Sequence, residues 1–194
     1  MKCRNHLICL VVALGIAPFV GLHAAEPGVQ TNAVRAMTPQ EIQSLYDSME
    51  ERLTSELRED RQLDKTQRTQ IILALGHLRS AKAVPYLLAS LEFSPQKVAL
   101  PDGHEVLVGR ATYEATYPAI AALKQIGSLS SDNIIGLIAE SVEGSQREML
   151  LTKLGLACHG KVFVHEVREK LSTAGPQRAR WKRVADLLPA DRGH

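Results

Sequence analysis

The chain has 194 residues, of which 23 are Lys or Arg and 21 are Asp or Glu. Two of the basic residues, Lys2 and Arg4, fall in an expected targeting segment, so the remainder is formally neutral. That excludes a whole-protein electrostatic hold on nucleic acid or on an anionic membrane.

The targeting segment is read from a charged start at Lys2 and Arg4, an apolar run from Leu7 to Ala17, and Pro18 with Gly21 ending any helix there. Residues 21–25, Gly-Leu-His-Ala-Ala, resemble a cleavage region, with cleavage expected after Ala25 even though Leu22 or His23 stands where a small residue is usual. The apolar run is shorter than the roughly 20 residues a spanning helix needs. Cys3 and Cys9 lie too early to carry a bacterial lipid anchor at the cleavage point. The expected product is therefore exported, periplasmic or secreted, with no stable membrane insertion after cleavage. About 169 residues can bury one core without disulfide staples. Cys158 is the one cysteine beyond the segment, and it reads as a small buried residue in an apolar run.

Residues 26–37 contain Pro27 and Gly28 and no apolar periodicity, which predicts a disordered leader. Order is expected from Thr38. Thr38-Pro39-Gln40-Glu41 has the capping-box pattern, and Ile42, Leu45, Met49, Leu53 and Leu57 recur at helical spacing to about Glu59. Asp64 to Gln67 repeats the cap, ahead of Ile71, Ile72, Leu75 and Leu78 on a second helix. Val84, Leu87, Leu88 and Leu91 mark a third, with Pro85 tolerable only in its first turn.

Residues 93–109 break the pattern. Lys97 to Leu100 and His104 to Val108 flank Pro101-Asp102-Gly103, which predicts two short strands about a turn. Tyr113, Tyr117, Ile120, Leu123 and Ile126 then predict one helix capped or kinked at Pro118. Ser131-Asp132 opens another, carrying Ile134, Ile135, Ile138 and Val142. Ser145 to Glu148 is a further capping box before Leu150, Leu151 and Leu154. After Gly160 come Val164, Val167 and Leu171, and Pro176 starts a last helix with Trp181, Val184, Ala185 and Leu188 on one side.

The run from Ala74 to Leu88, Ala-Leu-Gly-His-Leu-Arg-Ser-Ala-Lys-Ala-Val-Pro-Tyr-Leu-Leu, resembles the HEAT repeat, in the short HEAT-like form also found in phycobilin lyases. Residues 119–127 resemble the first half of the same unit, and a third pair matches in pattern; together the resemblance covers about residues 66–172. It implies an all-α, short right-handed α-solenoid spanning 38–190, in which each helix pair buries its apolar face only against its neighbours. The equivalent leucines 75, 123 and 154 are unevenly spaced, so residues 93–109 read as a β-hairpin-like insertion that extends the recognition surface. The acidic first helix region, eight acidic against three basic residues between Thr38 and Asp64, and the basic Trp181 helix read as polar end caps.

Catalytic motifs are missing from the sequence: it has no HExxH, paired CxxC, GxSxG or phosphate-binding glycine loop. Cys158, His159 and His165, with Glu166 or Glu169, make a conceivable metal set only if the turn at Gly160 gathers them. Asp102 and His104 suit turn chemistry better than an acid–base couple. The phycobilin-lyase activity does not transfer on a shared repeat. The expectation is a non-enzymatic interaction module without cofactor or metal, binding another protein of the cell envelope or exterior and no nucleic acid. Its expected contact residues are Tyr86, Asn133, Glu140, His165 and Arg168 on second helices, with Asp102 and His104 in the insertion. The alternative is a metal- or ligand-dependent enzyme or carrier using the insertion or the Cys158, His159 and His165 region.

Overall fold

A computed structural model describes residues 37–59, 63–99, 105–107 and 112–189. The expected signal segment, most of the leader, and the turn carrying Asp102 and His104 lie outside them. The described part is all-α apart from one short strand pair. Its helices are α1 (Pro39–Glu59), α2 (Lys65–His77), α3 (Val84–Ala89), α4 (Tyr113–Thr116), α5 (Pro118–Ile126), α6 (Ser131–Glu140), α7 (Gln146–His159), α8 (Lys161–Thr173) and α9 (Arg178–Asp186). Strands β1 (Lys97–Ala99) and β2 (Glu105–Leu107) pair antiparallel, with Val98 opposite Val106. No described helix is long and apolar enough to cross a membrane.

Local side chains start the helices. Thr38 donates its backbone N–H to the Glu41 carboxylate at 2.7 Å and accepts the Glu41 N–H at 3.2 Å, closing the expected box on α1. Asp64 and Gln67 close the same box on α2. α6 opens at Ser131 as expected, and its cap is the residue before, Ser130, with Asn133 reaching back to the Ser130 N–H at 3.2 Å. Each such cap contributes about 1 kcal/mol.

Two expected helices are redrawn by the chain's own backbone chemistry. The stretch Tyr113 to Ile126 divides into α4 and α5, because Pro118 has no N–H to give the preceding turn and Tyr117 leaves helical geometry at φ −123, ψ 88. α6 stops at Glu140, where Ser141 turns extended, so Val142 is not on the apolar face of that helix but 76% exposed.

Packing follows a simple order. α2 lies on α5 and α5 on α7; α6 lies on α7 and α8, and α9 closes against α8. Leu75, near the end of α2, and Leu123 and Leu154 on α5 and α7 are fully buried, within the same core as Ile72, Leu87, Ile138, Phe163 and Trp181. Two glycines set the closeness of this packing. A Cβ on Gly76 would stand 2.7 Å from the Ala122 Cα on α5, and one on Gly155 would stand 2.4 Å from the Phe163 ring on α8. The first contact is a Cβ against backbone, and neither atom moves with a side-chain rotation, so no rotamer change relieves it.

The basic run on α9 is not a solvated face throughout. Glu148, whose backbone N–H the Ser145 cap holds, is 2% exposed, and its carboxylate accepts from the Gly144 N–H at 3.2 Å instead of closing the box on Ser145. It faces Arg180 Nε at 3.4 Å and Arg183 Nε at 4.0 Å, close enough for charge pairing without a hydrogen bond on those atoms. Arg180 also donates to the Ala139 and Ser141 carbonyls, the latter at 2.9 Å, so one guanidinium ties the end of α6 to the start of α7.

Two outcomes test this packing. Gly155→Ala should cost about 1–3 kcal/mol through overpacking, and pairing it with Phe163→Leu should cost less than the two changes added, measured by urea unfolding. Arg180→Met should cost about 3–5 kcal/mol because it strands the Glu148 carboxylate, and Arg180→Met with Glu148→Leu should recover most of the loss. A double variant as unstable as the single one would show that Arg180 acts through the carbonyls of α6 alone.

Candidate functional site

Residues of α6 and its approach form one wall of an open groove of about 500 Å³, lined by Leu88, Leu129, Asp132, Asn133, Gly136, Leu137 and Glu140. Asp132, Gly136 and Glu140 follow one another at four-residue spacing, so they form a single row along the exposed side of the helix. Eight residues of helix put the two carboxylates about 12 Å apart along its axis. Gly136 lies between them, and a Cβ built there meets no atom within 4 Å. Leu88, Leu129 and Leu137, each half-buried, form the apolar part of the groove.

Neighbouring polar contacts hold the groove in place. Arg147 on α7 donates to the Leu88 carbonyl at 3.0 Å, and the His159 ring nitrogen Nε2 shares a hydrogen bond with the Leu129 carbonyl at 2.8 Å. The strand pair is fastened nearby: Lys97 donates to Gln146 Oε1 at 3.4 Å, Gln146 donates to the Tyr117 hydroxyl at 3.1 Å, and Lys65 bonds the Lys97 carbonyl.

Of the contact residues expected from sequence, Asn133 and Glu140 line this groove, and Asn133 also serves the α6 cap. Tyr86 is half-buried against the core, His165 is exposed and Arg168 half-buried on α8, and none of the three lines the groove. Asp102 and His104 lie outside the described residues. Leu88, Leu129, Asp132, Gly136 and Leu137 were not expected. The four-residue row of Asp, Gly and Glu on α6 was the available signal.

The imagined metal set is engaged otherwise. His159 is bonded to Leu129, and the Glu166 carboxylate accepts from the Ser131 hydroxyl across α8 and α6. The described residues hold no group of three or more His, Cys, Asp or Glu side chains arranged for a metal ion.

A smaller apolar hollow of about 220 Å³ lies between Tyr113, Glu114, Ile120, Lys153, Leu156 and Ala157. Lys153 stands 5.2 Å over the Tyr113 ring and donates to the Leu187 carbonyl at 3.1 Å, while Lys124 and Glu114 form an ion pair at 2.7 Å. Cys158 is half-buried rather than fully buried. Burial pushes its thiol above the usual range; the Lys124 charge pulls it down and Glu114 pushes it up. The thiolate is the reactive form, so at pH 8 a disulfide reagent should react more slowly with native than with unfolded protein, and Lys124→Ala should slow the native rate further. Equal native and unfolded rates would show Cys158 to be open.

No family model matches this chain, and no curated protein and no solved structure matches it either.

Proposed function

We propose that this protein is an exported adaptor: a short right-handed α-solenoid of HEAT-like helix pairs that holds another protein of the cell envelope or exterior in the groove along α6, without catalysis. The solenoid reading is supported by the order in which first helices stack, α2 on α5 on α7, with Leu75, Leu123 and Leu154 all fully buried, and by α6 lying on α8. The strand pair, fastened to α7 through Lys97, stands in this reading as an insertion between helix pairs.

The observation that carries the binding role is Gly136. A glycine inside a helix is about 1 kcal/mol less favourable than alanine. Gly76 and Gly155 offset that by letting helices approach, but the space above Gly136 is empty of protein. A bare stretch of backbone between two exposed carboxylates, beside three leucines, leaves room for a partner's side chain. It favours one with an apolar body and cationic groups on either side.

Gly136→Leu fills that space while raising helix propensity, so helicity and unfolding midpoint should hold or rise. Cross-linking of the protein in its exported fraction should meanwhile lose, by about tenfold or more, the partner that wild type retains, a loss of about 1.4 kcal/mol or more. The change Lys170→Leu on exposed α8 serves as the control. Retention of the same partner by Gly136→Leu would place recognition elsewhere and end this reading.

A further inference from the structure

The row that Asp132, Gly136 and Glu140 make on α6 has a fixed spacing. Rows of every fourth residue run at about 26° to a helix axis. Carboxylates eight residues apart, about 12 Å along the axis, therefore lie about 13 Å apart along the row. Both side chains are exposed, and among the described residues neither has a hydrogen bond or an ion pair. The lining of the groove holds these two carboxylates and no cation. The arginines that reach its ends are committed elsewhere, Arg147 to the Leu88 carbonyl and Arg180 to the Ala139 and Ser141 carbonyls.

Between the two charges the surface changes character. Gly136 leaves bare backbone midway, and Leu88, Leu129 and Leu137 supply the apolar floor. An occupant that matches must present positive, apolar and positive groups in line, at steps of about 6.5 Å. An extended polypeptide does so by its own geometry. Alternate side chains share a face and each residue advances about 3.3 Å, so its first, third and fifth side chains stand at steps of about 6.6 Å and span about 13 Å. A helix does not. Residues on one line along it are seven or eleven apart, at about 10.5 or 16.5 Å, and residues eight apart point about 80° away from each other.

We propose that the groove takes an extended segment of polypeptide in which a cation, any residue, an apolar residue, any residue and a second cation follow in order. Its outer side chains pair with Asp132 and Glu140, and its central one sits over Gly136 against the leucines. The proposal rests on the adaptor reading of the groove and adds the chemistry and conformation of what is held. Exposed ion pairs of this kind contribute up to about fivefold each in affinity, so the segment binds weakly and the match of both spacings decides its selection.

Fluorescence anisotropy with the full-length chain tests this. The probe is a labelled synthetic peptide carrying arginine, threonine, leucine, threonine and arginine in succession between glycines. It should bind at low ionic strength and lose threefold or more in affinity at about 0.2 M salt. Moving one arginine by a single position turns it to the opposite face at the same net charge, and should weaken binding about fivefold. An alanine-rich helical peptide with arginines eight apart and leucine midway should bind no better than that shifted peptide. Asp132→Asn and Glu140→Gln should each weaken the matched peptide about threefold, and about tenfold together, whereas Asp186→Asn, exposed on α9, should leave it unchanged. No binding by about 1 mM peptide, equal affinity for the matched and shifted peptides, preference for the helical one, or indifference to both carboxylates would each overturn the proposal. None of these outcomes alters the cross-linking result for Gly136→Leu, so the groove reading and the segment assigned to it stand or fall separately.

Discussion

Everything in this fold rests on how closely α2 can lie against α5. Neither helix has a face wide enough to make a core alone, and α2, with Ile71, Ile72 and Leu75 buried, packs most extensively on α5 and also against α1. Gly76 makes the packing on α5 possible: with its missing Cβ only 2.7 Å from the Ala122 backbone, any side chain there would push the helices apart. The same Leu-Gly pair recurs on α7 as Leu154-Gly155, where the glycine admits the Phe163 ring of α8 instead. One sequence device thus closes one contact between helix pairs and one contact within a pair.

The far end of the molecule is secured differently. There the chain buries a carboxylate, and a buried charge is unfavourable unless partners surround it. Glu148 receives the Gly144 N–H and faces two guanidinium groups, while Arg180 spends its remaining donors on the last carbonyls of α6. Those carbonyls lack helical partners in any helix. One arginine therefore satisfies a helix end and neutralises a buried acid, and α9 becomes the closing element because it carries that arginine. At the opposite end Glu50 reaches Ser80, whose hydroxyl oxygen accepts the Ala83 N–H, so α1 is pinned to the α2–α3 turn near its middle.

These differences explain what the sequence could and could not convey. Capping boxes and apolar periodicity are local, so the starts of α1, α2 and α7 and the buried faces of α2, α5 and α7 were legible directly. The break at Pro118 was anticipated as a kink or a cap, and the missing N–H made it a new helix. Val142 fits the period of α6, but periodicity does not show where the backbone turns out of the helix. The exposure of Ile42 and Leu45 was invisible for a related reason: amphipathicity marks the apolar face of a helix, not how far along that face the neighbouring helices reach. Arg180 looked like one of several surface cations because its two functions depend on carbonyls and a carboxylate 32 to 41 positions away. The groove was half legible, through Asn133 and Glu140, since its other wall comes from Leu88 on a different helix pair.

The groove on α6 and the stripe on α1 involve no common residue, and they differ in kind. The first is rimmed by the Asp132 and Glu140 carboxylates, so in the role proposed for it charge would guide a partner's approach and salt would screen it. The second is a row of apolar side chains, Ile42, Leu45 and Tyr46, on a helix that is acidic elsewhere. Apolar surface responds little to salt, so ionic strength would weaken contacts at the first and leave those at the second nearly unchanged.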